Sequence, residues 1–346
     1  GQRVGARLVV SFSHWDSPAS TIGCAVLKPS SRDGNRRGAS QGSLYEDWMK
    51  VSWIALAFAL AAAPAAAAQT CGPEALGTTR TLALDAQGGV AIGLKSYPRT
   101  LPLAEREVVL TFDDGPDATT TPRILDALAR ECVRATFFMI GRNAAALPRI
   151  ARREAQEGHT IGYHSATHPA ATLRGLPLEK AEADIRAGME QVDRAAYGSA
   201  EYGQPRAPFF RFPGFADSPA LLDMLGRMNV ATIGTDVWAS DWSAMSPQKQ
   251  LDLVMSRLEQ AGRGIVLFHD TKKQTADMLP AFLRELKKRG WRVAHLVPGH
   301  GAAETVAAGP GWRSETEGIL AKMGYRVGAG GTKAQPAASG STRPPR

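Results

Sequence analysis

Between residues 106 and 298 the sequence alternates short apolar runs with amphipathic helical patterns, and this alternation constrains the fold more than any other feature. The apolar runs are mostly continuous and rich in Val, Ile, Phe and Thr, which is typical of strands buried on both faces of a parallel sheet. We predict seven strands, at residues 107–112, 134–140, 159–163, 209–212, 230–236, 265–268 and 291–297. We predict six helices between them, at residues 121–129, 144–157, 177–197, 219–228, 247–260 and 275–289. This alternation predicts a single α/β domain, built as a parallel barrel or as a doubly wound sheet.

The ends of the chain differ in character from this central part. Residues 1–48 are rich in Ser, Gly and Arg and contain no Met, so we expect upstream translation without structure. Residues 49–68 have a basic start, an apolar run and a small-residue site, which indicates a secretory signal peptide; an uncleaved membrane anchor is the alternative. We therefore expect a secreted or periplasmic protein with no stable membrane span after cleavage. For residues 69–105 we predict a lead-in hairpin that turns at Gln87-Gly88-Gly89, and for 299–346 a flexible tail with one short helix near 314–323.

Cysteine content and charge agree with export. After residue 68 the sequence contains two cysteines, Cys71 and Cys132, and an oxidising compartment favours a disulfide between them over two unrelated buried thiols. The formal net charge of +8 suggests nucleic acid as a partner. Part of this excess lies in residues 1–68, which hold seven Lys and Arg against four Asp and Glu and are not expected in the mature protein. No basic stripe interleaved with aromatic residues follows, so we expect no nucleic-acid partner.

Polar residues collect where the predicted strands end. Taken singly, each has a commoner structural explanation, such as helix capping or a buried histidine. Together they are expected to share one rim, because the carboxyl ends of parallel strands meet at a single mouth, where sites are built. The residues are Asp113 and Asp114 after the first strand, His164 and His168 after the third, Arg211 in the fourth, Asp236 and Asp241 at and after the end of the fifth, and His269 after the sixth.

The spacing of His164 and His168 favours metal binding. On one helical turn, residues at i and i+4 face the same way, so both imidazoles could bind one ion. A carboxylate from another strand end would complete a three-ligand site with positions left open for water. Residue 165 is Ser, so this is not the HExxH motif of metalloproteases.

Five motifs in order resemble those of the polysaccharide deacetylases with a NodB homology domain, carbohydrate esterase family four. The resemblance covers about residues 106–298 and implies a partial seven-stranded parallel (β/α) barrel. It also implies hydrolysis of N-acetyl groups on a glycan that contains N-acetylglucosamine, with release of acetate. The motifs are Thr111-Phe112-Asp113-Asp114-Gly115-Pro116, His164-Ser165-Ala166-Thr167-His168-Pro169, Arg211-Phe212-Pro213, Asp241-Trp242 and Ile265-Val266-Leu267-Phe268-His269-Asp270.

The resemblance implies a metal centre with its base. Asp114, His164 and His168 match the metal ligands, which in the family usually hold zinc, with cobalt or a similar divalent ion as alternatives. Asp113 matches the general base, and Arg211 matches the partner that keeps this carboxylate ionised.

The resemblance also implies a general acid and a substrate pocket. His269 matches the acid, Asp241 tunes its charge, and Trp242 shapes the pocket wall. The backbone N–H of Gly214 could stabilise the oxyanion, although an aromatic residue and then Gly often follow the proline in the family. Trp238 stands where an acidic residue is frequent.

The sequence leaves the substrate open among peptidoglycan, chitin oligomers and a capsular or biofilm polymer, and it does not indicate an oligomeric state. Two other functions remain possible on this scaffold. One is a glycan-binding pseudoenzyme, which would need neither base nor acid. The other is hydrolysis of an O-acetyl ester or of an amide that is not on a sugar.

Overall fold

The computed structural model describes residues 71–200, 205–301 and 304–325, so the predictions for residues 1–68 lie outside the described part of the chain. The helices are α1 Thr121–Arg130, α2 Gly141–Ala146, α3 Pro148–Gln156, α4 Leu178–Tyr197, α5 Pro219–Arg227, α6 Pro247–Ala261, α7 Lys273–Lys288 and α8 Glu315–Lys322. The strands are β1 Thr78–Leu84, β2 Ala91–Ile92, β3 Arg99–Thr100, β4 Glu107–Asp113, β5 Thr136–Met139, β6 Thr160–Tyr163, β7 Phe209–Phe210, β8 Ala231–Ile233, β9 Val237–Trp238, β10 Arg263–His269, β11 Arg292–Pro298 and β12 Val306–Ala307.

Ten of these strands form one sheet in which every pair is parallel. Its central order is β9-β10-β4-β5-β6-β7-β8-β2, and the pairings of the described strands do not join β9 to β2. Helices connect the successive strands from β4 to β8 and from β9 to β11, as is usual where parallel strands pair. The α/β class is therefore confirmed, and all seven predicted strands are present.

The core explains why the strand sequences are continuously apolar. All seven residues of β4 are buried. On one face, Phe112 stacks between Phe137 and Phe268, with ring centroids 5.0 and 5.6 Å apart. On the other face, Val109 packs with Phe138 in a second buried cluster inside the curved sheet. Since both faces of the strand are covered, most of its residues are apolar.

The prediction of a hairpin in residues 69–105 was wrong. Strand β1 pairs in parallel with β11, and β2 pairs in parallel with β8, so neither strand pairs with the other. Parallel pairing with β11 extends β1 over seven residues and buries Leu82 and Leu84 in the inner core. Residues Gln87-Gly88-Gly89 do form a turn, but it leads from one edge of the sheet to another.

A disulfide joins Cys71 to Cys132, with an S–S distance of 1.99 Å. Cys132 lies two residues after the end of α1, so the bond fixes the start of the described chain to the α/β domain.

Helix positions follow the sequence with one interruption. The predicted helix 144–157 is two helices, because Pro148 disfavours helical backbone at the preceding residue, and Leu147 has φ −125° and ψ 53°. Helix α6 begins at residue 247, as predicted, and Ser246 caps it by accepting a hydrogen bond from the backbone N–H of Lys249.

Part of the segment 299–346, for which we expected a flexible tail, is instead regular structure. Strand β12 pairs with β3 in antiparallel orientation, and Ser314 caps α8 close to where the short helix was expected. The indole of Trp312 donates a 2.7 Å hydrogen bond to the carbonyl of Leu94, which fixes this segment to the domain. Among the described residues, we find no helix with the length and hydrophobicity needed to cross a bilayer.

Candidate metal and catalytic site

The carboxyl ends of β4, β6, β7 and β10 bring the rim residues together. Asp113 is the last residue of β4, and the strand register pairs it with His269, the last residue of β10. His164 directly follows β6, and Arg211 directly follows β7. The parallel register therefore places one candidate acid, one candidate base and one candidate ligand side by side.

Asp114, His164 and His168 form the candidate metal centre. The Oδ1 atom of Asp114 lies 3.5 Å from Nε2 of His164 and 3.6 Å from Nε2 of His168. All three ligand atoms lie within 4.8 Å of one another. Two ligands bound tetrahedrally to one zinc ion would be about 3.3 Å apart, given metal–ligand distances of about 2.0–2.1 Å.

The chemistry of these donors also fits a cation. The buried Oδ1 atom of Asp114 has no hydrogen-bond partner among the described residues, although a buried carboxylate oxygen normally has one. Burial lowers the pKa of His164 to about 3, so its imidazole is neutral and can ligate. The Nδ1 atom of this ring lies 2.8 Å from the carbonyl oxygen of Arg211, which places the proton on Nδ1 and leaves Nε2 as the ligand atom.

The two histidines do not lie on a helical turn, and that expectation was wrong. Residues 164–168 form a bend in which Ser165 and His168 have φ angles of 63° and 49°. Asp114 is likewise left-handed, with φ 78°. Such backbone is costly for residues other than glycine and is found where a site over-determines the conformation. The bend holds the two imidazole centroids 5.2 Å apart.

Asp113 is a buried carboxylate held by a buried cation. Its Oδ1 atom accepts a 2.7 Å hydrogen bond from Nη1 of Arg211, and its Oδ2 atom lies 4.0 Å from Nε2 of His164. Burial raises the pKa of Asp113, and the charge and hydrogen bond of Arg211 oppose that rise. The pair places one carboxylate oxygen next to the candidate ligands.

His269 is held and charged by Asp241. Its Nδ1 lies 2.7 Å from Oδ1 of Asp241, whose Oδ2 accepts hydrogen bonds from the His269 backbone N–H and from Thr275. Burial alone would lower the pKa of His269, but the hydrogen bond and charge of Asp241 outweigh burial and raise it to about 9. At neutral pH the ring is therefore an imidazolium, and its Nε2 atom can donate a proton.

Aromatic rings form one side of the rim. Trp242 is 51% exposed, and its centroid lies 6.0 Å from that of His269. Gly214 is exposed in a short 3₁₀ turn, Pro213–Phe215, with φ 60°. The turn aims Phe215 at Trp238, whose ring it meets edge to face at 5.1 Å.

One residue expected at the rim, Asp236, has a structural role instead, and one residue that the sequence did not suggest, Glu315, contacts the rim. Asp236 follows a strand, but its carboxylate accepts hydrogen bonds from the backbone N–H groups of Leu94 and Ile265, so it fixes the fold. Glu315, on α8, accepts a 3.2 Å hydrogen bond from the indole of Trp238. No local signal could have found this contact, because its partners are 77 residues apart.

Comparison with known proteins agrees with this arrangement. Residues 101–233 match the family model for polysaccharide deacetylases. Over 206 residues the chain is 51% identical to a peptidoglycan-N-acetylglucosamine deacetylase of Bacillus cereus, an alignment that covers 58% of this chain and 70% of that protein. It is 29% identical over 223 residues to a chitooligosaccharide deacetylase of Sinorhizobium fredii, covering 59% of this chain and 98% of that one. The solved structure of a Bdellovibrio bacteriovorus peptidoglycan deacetylase superposes with a TM-score of 0.56 at 33% identity, covering 64% of this chain and 59% of the other.

Proposed function

The chain belongs to the polysaccharide deacetylase family, and from this premise we propose that it is a metal-dependent N-deacetylase of glycans that contain N-acetylglucosamine. The observation that carries the proposal is that a three-ligand set, a carboxylate paired with Arg211 and a charged histidine lie on one rim. Amide hydrolysis needs an activated water, a stabilised oxyanion and a proton for the departing amine. Each need has a residue here.

We assign Asp114, His164 and His168 as the ligands, with zinc as the expected ion, because two imidazoles and one carboxylate suit it. When bound there, the ion supplies Lewis acidity to the acetyl carbonyl and lowers the pKa of water. The hydrogen bond from His164 to the carbonyl of Arg211 orients the imidazole for this task.

Asp113 acts as the general base. Its Oδ2 atom faces the ligand His164, while Oδ1 is held by Arg211, so one oxygen remains to accept the proton of the attacking water. The new bond joins the water oxygen to the acetyl carbon. The backbone N–H of Gly214, on the exposed turn, serves the oxyanion that this attack creates.

His269 acts as the general acid. As the C–N bond breaks, the Nε2 atom of the imidazolium donates its proton to the sugar nitrogen, and the products are acetate and a free amino sugar. Asp241 holds Nδ1, which keeps the ring oriented and charged between turnovers. Trp242 forms the pocket wall beside this ring.

We propose a glycan of the peptidoglycan or chitooligosaccharide type as the substrate, since the similar proteins carry those names. Such a substrate lies outside the cytoplasm, which agrees with a secreted or periplasmic location and with the disulfide.

Acetate release by the full chain tests the proposal. We would assay N-acetylglucosamine oligomers and peptidoglycan after chelation and again after zinc or cobalt is restored. D113N should reduce release about 10²- to 10⁴-fold, as expected when a general base is removed. D126N is the matched control. Asp126 lies on α1, away from the rim, and its exposed side chain pairs with Arg153 on α3.

The outcomes separate the alternatives. Metal-dependent release that D113N abolishes and D126N preserves supports the deacetylase. Binding of metal and glycan without any release would favour the pseudoenzyme, and release only from O-acetylated substrates would favour an esterase.

A further inference from the structure

We propose that Trp238 forms, with Trp242, a subsite for the sugar next to the reacting one, and that Glu315 is the positioning residue that sets the Trp238 ring. The inference rests on the proposed function, because it concerns the glycan bound at that site. It assigns a binding role to a residue that departs from the family pattern and a positioning role to a helix outside the five motifs.

The candidate acid and two indole rings are consecutive neighbours, with Trp242 in contact with both His269 and Trp238. From His269, the Trp242 centroid is 6.0 Å away, and the Trp238 centroid lies a further 5.7 Å from that of Trp242. Neighbouring rings are nearly perpendicular, with interplanar angles of 86° and 88°. Because His269 must reach the nitrogen of the reacting sugar, the proposal puts that sugar beside Trp242 and the neighbouring sugar of the glycan beside Trp238, the ring next to Trp242.

The exposure of these rings favours a ligand. Trp242 is half exposed and Trp238 is partly exposed, whereas Phe215 behind them is buried. Indole rings offer a large, rigid apolar surface with a polar N–H at one edge. The C–H face of a pyranose is apolar and its rim carries hydroxyls, so sugar and indole match in both respects.

Two sets of contacts fix Trp238 from behind. Its carbonyl oxygen accepts a 2.6 Å hydrogen bond from Arg257, and its backbone pairs with β10. Its ring packs on Phe215, and its indole N–H donates to Oε2 of Glu315 at 3.2 Å. The other carboxylate oxygen of Glu315 accepts a hydrogen bond from Lys95. Glu315 is therefore placed to orient the Trp238 ring through its indole N–H.

Helix α8 is itself fixed to the rim, so it can hold Glu315 in place. The backbone N–H of Thr316 donates a 3.1 Å hydrogen bond to the carbonyl of Lys95. Glu317 pairs with Arg174, on the loop that follows His168, and Arg174 also bonds Asp217, which follows the Phe215 turn. One helix thus joins three segments around the mouth.

The test is the dependence of turnover on glycan length. For the zinc-loaded full chain we would measure kcat and KM on the dimer and the pentamer of N-acetylglucosamine. W238A should lower the ratio of kcat/KM on the pentamer to that on the dimer by about tenfold, mainly through KM, since one lost aromatic contact has about this effect. E315A should lower the same ratio by about threefold, because the ring remains but loses its orientation.

Two further variants distinguish positioning from a general structural effect. K95A breaks the ion pair but leaves the indole acceptor, so the length ratio should stay within about twofold of wild type. In a W238F background, which lacks the indole N–H, E315A should have no additional effect on the ratio. A length ratio that W238A leaves unchanged, or an E315A effect that persists in W238F, would overturn the proposal.

Calorimetry on the D113N protein measures its affinity for the two oligomers, and so tests the subsite without turnover. Tighter pentamer binding that depends on Trp238, together with a zinc-loaded wild-type chain that releases no acetate, would support the subsite and contradict the proposed function. Acetate release whose length dependence and oligomer binding ignore Trp238 would support the function and contradict the subsite.

Discussion

The Nη1 atom of Arg211 lies 2.7 Å from Oδ1 of Asp113, and the two side chains are 0% and 3% exposed. The same guanidinium donates to the hydroxyl of Thr111 and to the carbonyl oxygens of Ile233 and Gly234. The charge of Arg211 is therefore compensated by protein groups rather than by water. Each partner depends on the other for its stability in the core.

Replacing Arg211 should destabilise the fold. R211M leaves Asp113 buried and unpaired, which we expect to lower the free energy of unfolding by about 3–5 kcal/mol, as measured by urea denaturation. R211M/D113N should lose less than R211M alone, because it removes the uncompensated charge. R123M, which breaks the exposed Arg123–Asp277 pair, should lose less than about 1 kcal/mol. An equal loss in R211M and R123M would contradict the argument.

Removing Asp241 should shift the pH profile. Asp241 holds the pKa of His269 at about 9, above its usual value, so the wild-type ring stays protonated as pH rises through neutrality. In D241N that support is lost while burial remains, so the pKa falls. The alkaline limb of acetate release should then move about 1–2 units towards lower pH. D126N should leave the limb in place, and an unmoved limb in D241N would exclude His269 as the acid that Asp241 tunes.

Metal binding should stabilise the fold through the three candidate ligands. At a free zinc concentration one hundred times the Kd, the wild-type chain should gain about 2.7 kcal/mol, seen as a rise in Tm. H164A and H168A should lose most of this gain. H300A is the matched control, because His300 is exposed and lies outside the site. A zinc-induced rise in Tm that H164A retains would place the metal elsewhere.

The disulfide should stabilise the fold. Cys71 and Cys132 are separated by 61 residues, and opening such a loop costs about 2–4 kcal/mol of stability. We would replace the third cysteine, Cys24, with Ser, so that it cannot form a disulfide with either of the other two. In this C24S background, C71S/C132S should lower the free energy of unfolding by that amount, as measured by urea denaturation. Reductant should reduce the stability of the C24S protein to the same level and leave the double variant unchanged. A C24S protein that ignores reductant would show that the bond does not contribute.

Local sequence predicted most of the strands and helices, because the burial of an element is reflected in the pattern of apolar residues along it. The seven strands were recognisable since two covered faces demand continuous apolar residues, as in β4. The break in the predicted helix 144–157 also follows a local rule, because Pro148 disfavours helical backbone at Leu147. The prediction of a hairpin was wrong because the turn at Gln87-Gly88-Gly89 says nothing about β11, which lies more than 200 residues away from β1 and pairs with it.

For the candidate site, the sequence likewise predicted the residues but not the backbone geometry that brings them together. The identities of Asp113, Asp114, His164, His168, Arg211, Asp241 and His269 could be proposed from the sequence, because parallel strands end at one rim and the motifs occur in order. How His164 and His168 converge could not be predicted, since the spacing i,i+4 suggested a helical turn while the chain makes a left-handed bend.

The sequence by itself determined the α/β class, the order of strands and helices, and the set of side chains available for chemistry. The fold class, the order of elements and the available side chains can be deduced from short segments, because they depend on local periodicity and on position along the chain. Only the tertiary structure decided that β1 and β11 pair, that Asp236 supports the fold, and that Glu315 holds Trp238. Those contacts join distant segments, and their free energy depends on packing that exists only after the chain has closed around its core.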